Sequence, residues 1–263
     1  MLGKISQYSK IIGNQKNKSR FIASRLLMKS GISKYIVFSR NSYKLRFHPS
    51  SLTASLWVNP KERIGEEIFL ASLVKSGDTV IDVGANIGTV ALAFSKKTQE
   101  KDSVFAFEPH PKVFDYMREN IELNSATNQI KCYCMALGKK PEMLLFSDQS
   151  DDTNNAISDK GKIEVEVCRL DDVIARKKIN LLKIDVEGYE YQVLQGAKET
   201  CKNSDIIYLE CIQSMLEPNG GSEEKICNFL TDLGFKIYQV NDNKLTENII
   251  GSHKKKMILA KRH

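Results

Sequence analysis

Residues 80–88, VIDVGANIG, constrain the fold more than any other stretch of the chain. A short β-branched strand runs into a glycine turn and then straight into a helix-period segment, TVALAFSKK. Glycine lets the backbone approach a ligand closely, and the following helix N-terminus offers unpaired N–H groups. Such a unit belongs to an open sheet whose strand ends face a ligand crevice. Downstream the alternation repeats. The strand SVFAF (103–107) precedes the helix PKVFDYMRENIELN, where Pro111 suits a first turn. QIKCYCMAL reads as one strand, EMLLFS and KIEVEVCRL as two alternating ones, and DDVIARKK as a short helix. Then follow the strand LLKI, the helix GYEYQVLQGAKE, the strand DIIYLECI, the helix SEEKICNFLTDLG and two closing strands, KIYQV and KKMILAK. Strands alternating with helices predict an α/β fold, a parallel sheet covered on both faces. The polar run 148–162, DQSDDTNNAISDKGK, reads as a mobile loop over a site.

Upstream the signal is weaker. EEIFLASLVK has helical spacing, whereas YIVF and LWV, between residues 35 and 60, read as short strand-like pieces. Charge is also divided here. The net charge of +7 hides 11 Lys and Arg and no acid in the first 60 residues, so the remainder carries a net of −4. A mildly acidic body argues against a nucleic-acid-binding face. For the basic arm, with its short helix around FIASRLLMK, three readings stand: a solvated leader, a contact with an anionic surface such as lipid headgroups or an acidic glycan, and an organelle transit peptide. No apolar run reaches the ~18 residues of a membrane span. Six cysteines without a CxxC pair suit a reduced, cytoplasmic protein, membrane-peripheral if the arm binds lipid. Cys132 and Cys134, two apart in one strand, are expected on one buried face.

The acids narrow the ligand. The G-x-G-x-x-G of dinucleotide sites is absent: only Gly84 and Gly88 are glycine, with Asn86, which tolerates the left-handed conformation, between them. Asp82, just before the turn, would repel a pyrophosphate and attract a cation. Glu108 closes the next strand, where a carboxylate can take ribose hydroxyls. A ribose clamp and an acid at the turn point to S-adenosylmethionine (SAM), which has an adenosine and a sulfonium but no phosphate. Two rivals remain, a nicotinamide-dependent oxidoreductase and a non-catalytic SAM-binding module.

GDTVIDVGANIG, FEPHP, CRLDDVI and LLKIDVEGYEYQVLQGA resemble, in that order, the motifs of the FkbM family of SAM-dependent methyltransferases, over residues 65–212. The resemblance implies a Rossmann-like class I methyltransferase domain over 61–263, with residues 1–60 as an extension outside it. Its mostly parallel seven-stranded sheet would run 3-2-1-4-5-7-6 with the seventh strand antiparallel. It also implies SAM as cofactor and O-methylation of an acceptor; sugar hydroxyls and polyketide-type products are the family's range, and a glycan or glycoconjugate hydroxyl is favoured. The residues implied for the cofactor are Asp82, Gly84, Ala85, Asn86, Gly88, Glu108, Pro109, Ala136 and Asp185. Asp185, Glu187 and Glu210 are the catalytic candidates. Glu187 has two readings, a charge favouring the next helix N-terminus and a general base for the acceptor hydroxyl. His110 ranks below these carboxylates as a base. Asp185 and Glu187 could ligate Mg²⁺, but spacing places no third ligand, so no metal is expected.

Overall fold

The computed structural model describes residues 17–148, 155–158, 160–174, 178–241, 244–247 and 256–262. Much of the polar run 148–162, and the first 16 residues of the basic arm, lie outside the described residues. Helix α1 (Lys18–Lys29) leads to the hairpin β1 (Val37–Arg40) and β2 (Tyr43–Arg46), then to α2 (Ser51–Val58) and α3 (Ile64–Ser72). LWV, expected as a strand, is the end of α2. The Ser50 side chain accepts from the Thr53 N–H and caps that helix, and Leu52 and Leu56, one turn apart, are both buried.

The main sheet is made of β3 (Val80–Val83), β4 (Val104–Phe107), β5 (Ile130–Tyr133), β9 (Ile179–Ile184), β10 (Ser204–Cys211), β11 (Lys236–Asn241), β12 (Lys244–Glu247) and β13 (Lys256–Lys261). Its order is β12-β11-β13-β10-β9-β3-β4-β5, with β13 antiparallel to both of its neighbours. β12 adds an eighth strand to the expected seven, hairpinned onto the edge strand β11. A second, three-stranded sheet holds β6 (Ala136–Leu137), β7 (Glu142–Phe146) and β8 (Ile163–Cys168). QIKCYCMAL is therefore split between two sheets, β5 and β6. Since β5 ends at Tyr133, the period-2 argument fails beyond it, and Cys134 is exposed.

Strand alternation sorts the core into two layers. Val80, Val104 and Leu181 face one layer with Leu70, Phe94 and Met117, while Ile81, Val83, Phe105, Phe107, Leu182 and Ile184 face the other. Tyr43, Leu45, Leu52 and Leu56 belong to the first layer, so the segment read as an extension contributes to the core of the domain. Its anchor is polar as well. The buried Arg40 guanidinium lies 2.8 Å from the buried Glu67 carboxylate, Tyr43 donates to the same carboxylate at 2.7 Å, and Arg40 also donates to the carbonyls of Pro60 and Glu62. Burial, and next the adjacent Glu67 charge, push the Tyr43 phenol well above its ordinary pKa, so it serves as a hydrogen-bond donor.

Candidate active site

Where β3 and β9 end side by side, their following loops touch. Gly84 has φ +76°, and a Cβ there would come within 1.8 Å of the Asp185 carbonyl oxygen, so glycine is required both by conformation and by space. The N–H groups of Gly84 and Ala85 both bond to the Phe107 carbonyl, which hangs the turn on the end of β4. Glu108, the next residue, closes this arrangement. Its Oε2 accepts from the Asn86 N–H at 3.0 Å and its Oε1 from the His110 N–H at 2.9 Å. The carboxylate is thus held at the crevice by two backbone donors, leaving acceptor capacity for a ligand hydroxyl.

An open cleft of ≈ 700 Å³ lies over this junction, lined among others by Arg63, Glu108, Lys183, Asp185 and Glu187. Gly84, Ala85, Asn86 and Pro109 also line it. An apolar slot of ≈ 320 Å³ adjoins it, sharing Gly84, Pro109, Phe146 and Val186 and adding Met135, Ala136 and Tyr189. Phe146, just before the polar run, and Asn155, within it, reach the cleft wall, and Phe146 bridges to Ile157. Acidic groups set on a glycine turn, beside an apolar slot, fit the SAM expected from the sequence.

Three sequence expectations need correction. Asp82 does not line the cleft. It is fully buried, directly opposite Lys183 in the β3–β9 register, and the Lys183 ammonium lies 2.9 Å from its Oδ1. Its other oxygen, Oδ2, has no hydrogen-bond partner among the described residues. The cation that Asp82 attracts is therefore part of the protein. Gly88 does not line the cleft either; it is the N-cap of helix α4 (Thr89–Thr98) at φ +87°, packed on Met117. Glu210, at the end of β10, is buried behind the cleft. Even so, Asp185, Glu187 and Glu210 bring carboxylate oxygens within 4.8 Å of one another, a third acid that spacing did not supply. His110 is buried against Phe146, 3.4 Å from Asp148, and away from both cavities.

Lys183 and Arg63 are the residues that the sequence reading missed. Lys183 donates to the Gly84 carbonyl at 3.1 Å and lies 3.7 Å from Asp185. Burial opposes its charge, but Asp82 and then Asp185 prevail and hold its pKa above the usual lysine value. Arg63 precedes α3 in a left-handed conformation, and its guanidinium lies 3.5 Å from both Asp185 and Glu66. Burial lowers its pKa while Asp185, Glu66 and Glu210 raise it further, so the three acids share this cation. Tyr208, the β10 neighbour of Lys183, donates to Glu66 at 3.2 Å and completes the polar row.

Glu187 sits at φ +54°, a conformation uncommon outside glycine. What holds it is Glu190, whose Oε1 accepts from the N–H groups of both flanking residues, Val186 and Gly188. Glu190 also opens helix α7 (Glu190–Gly196; α5 is Pro111–Leu123 and α6 Leu170–Val173), so the helix-start reading given to Glu187 belongs to it instead. Burial pushes the Glu190 carboxyl up to about 7, against the lowering effect of its backbone donors. A folded pKa above the unfolded value, near 4.5, gives stability that is full below about pH 4.5 and lost as pH rises through about 7. The loss amounts to about 3 kcal/mol. Denaturant titration should show Glu190→Gln gaining on the parent protein between pH 5 and pH 8; a difference that does not change with pH would refute the assignment.

The methyltransferase FkbM domain model matches residues 82–237. The hexuronic acid methyltransferase AglP of Haloferax volcanii is 27% identical over 203 residues, 73% of this chain and 82% of that protein. The 2-O-methyltransferase NoeI of Sinorhizobium fredii is 28% identical over 165 residues, 54% of this chain and 66% of that protein. Among solved structures, the methyltransferase FkbM from Methylobacillus flagellatus aligns with a TM-score of 0.46 at 13% identity, over 93% of this chain and 59% of that one. With the domain model spanning more than half of its length, the chain belongs to the FkbM family and is a SAM-dependent methyltransferase.

Proposed function

We propose that this enzyme methylates a hydroxyl of a sugar, glycan or glycoconjugate. The observation that carries the reading is the division of the crevice into an apolar slot and an acidic cleft on either side of the Gly84 turn. In this reading the adenine enters the slot beside Met135, Ala136 and Pro109, and Glu108 takes the ribose hydroxyls. Asp185, with Lys183 behind it, meets the amino-acid end. SAM, when bound, supplies a methyl group on a positively charged sulfur. The protein's own part is to orient the acceptor in line with that methyl, to exclude water, and to receive the hydroxyl proton. Positioning of this kind can supply ~7–11 kcal/mol of the barrier.

Glu187 is the proton acceptor of this proposal. It lines the cleft, whereas Asp185 is drawn toward Lys183 and Arg63, and Glu210 is buried behind. Support for an oxygen acceptor, and for a sugar in particular, comes from the relatives: one is named for hexuronic acid and another for 2-O-methylation.

Calorimetric titration with SAM, S-adenosylhomocysteine and NADH tests the cofactor. The first two should bind and NADH should not. Glu108→Ala should weaken SAM by about 10- to 100-fold, the worth of hydrogen bonds to a charged group. Binding of NADH, or undiminished SAM affinity in a folded Glu108→Ala protein, would overturn this part. Transfer of labelled methyl to a panel of neutral and acidic oligosaccharides tests the acceptor, and labelling only of non-sugar hydroxyl compounds would refute it.

A further inference from the structure

Among the described residues, the segment that carries the basic excess also carries most of the exposed large apolar side chains. Ile22 and Leu26 stand one turn apart on α1, and Ile32, Tyr35 and Val37 follow in the chain that packs beside it; Leu26 is 68% and Tyr35 73% exposed. Around them stand Lys18, Arg25, Lys29 and Lys34, all exposed, with no acid in the stretch. An amphipathic surface of this kind needs a partner that is apolar and anionic together.

The opposite face of α1 is fixed. Phe21 and Ser24 are buried, Arg20 lies over the Trp57 ring at 5.0 Å, and Asn17 donates to the Val58 carbonyl. The apolar side chains are thus turned outward by a helix that is itself docked on α2, and α2 delivers Leu52 to the wall of the cleft. An acidic glycan would satisfy the lysines but not Leu26 or Tyr35. A second copy meeting the same surface about a two-fold axis would oppose one cationic patch to another.

We infer that the surface formed by α1 and residues 30–37 docks on an anionic lipid bilayer, with Ile22, Leu26, Ile32, Tyr35 and Val37 entering the headgroup region and the lysines and arginines pairing with lipid phosphates. The docking fixes the cleft relative to the membrane through α2, and it does not depend on which hydroxyl is methylated.

Flotation of the full-length protein with phosphatidylcholine vesicles, with and without phosphatidylglycerol, tests this. Binding should require the anionic lipid and weaken with salt. Lys29→Glu with Lys34→Glu should lower it by at least about tenfold. Leu26→Ser with Tyr35→Ser should also lose it, and both variants should keep the parent melting temperature, since these side chains are exposed. Failure to bind anionic vesicles, or equal binding to neutral ones, would overturn the inference. So would binding that survives both double substitutions, or a dimer seen in sedimentation that Leu26→Ser disperses while vesicle binding is absent.

Discussion

Lys183→Met should lower the stability of the protein by about 3–5 kcal/mol, the usual cost of removing one partner of a buried ion pair. For a chain of this size that corresponds to a fall in melting temperature on the order of 10 °C. The reason lies in the register. Asp82 and Lys183 are directly opposite on adjacent parallel strands, on the layer of the sheet covered by α2 and α3, and the Asp82 side chain has no exposure. Without the ammonium, the carboxylate keeps its burial and loses its partner. Asp82→Leu combined with Lys183→Met removes both charges and should recover much of the loss, because apolar replacements of buried pairs are often neutral. Thermal melting of the two singles and the double forms the required cycle. A Lys183→Met protein as stable as the parent, or a double variant as poor as the sum of the singles, would show that the pair does not hold the sheet together. The same single substitution should weaken SAM binding, since Lys183 also ties the Gly84 carbonyl to Asp185.

Glu187→Gln should reduce kcat by about 10²–10⁴-fold, the range for loss of a positioned general base. It should leave the SAM dissociation constant close to that of the parent. Asp185→Asn should behave differently, lowering kcat and also raising the SAM dissociation constant, because Asp185 sits between the turn and its two cations. The split between kcat and affinity is what separates the roles: a loss confined to the chemical step marks an interaction made in the transition state. Equal damage to SAM binding by Glu187→Gln would move it into the cofactor site. A normal rate would refute its role altogether and turn attention to Asp185.

The α/β class and the glycine turn were legible because they depend on short-range signals: β-branched runs, helical spacing, Gly and Asn at positive φ. Glu108 was legible for the same reason, as the acid that closes a strand. Asp82 was misread because its partner is far away in sequence. The order 3-2-1-4-5-7-6 implied by the resemblance sets a fourth strand beside the first, yet the consequence, Asp82 across from Lys183, needs the register as well as the adjacency. A lysine inside an otherwise apolar strand was the available signal. Arg63 gave none, since a cation in a turn before a helix is ordinary, and only folding brings it 3.5 Å from Asp185. LWV was read as a strand because three residues cannot distinguish periods; the cap at Ser50 was the stronger cue.

The Arg40–Glu67 anchor bears on how this enzyme could be recombined with its relatives. A crossover at residue 60, the expected boundary of the methyltransferase domain, would inherit Arg40 from one parent and Glu67, together with Arg63, from the other. Arg40 grips Glu67 and the carbonyls of Pro60 and Glu62, so such a hybrid keeps the brace that sets the backbone leading into Arg63 only where both parents carry its two residues. Residues 37–72 therefore travel as one cassette, and a crossover inside them cuts this brace.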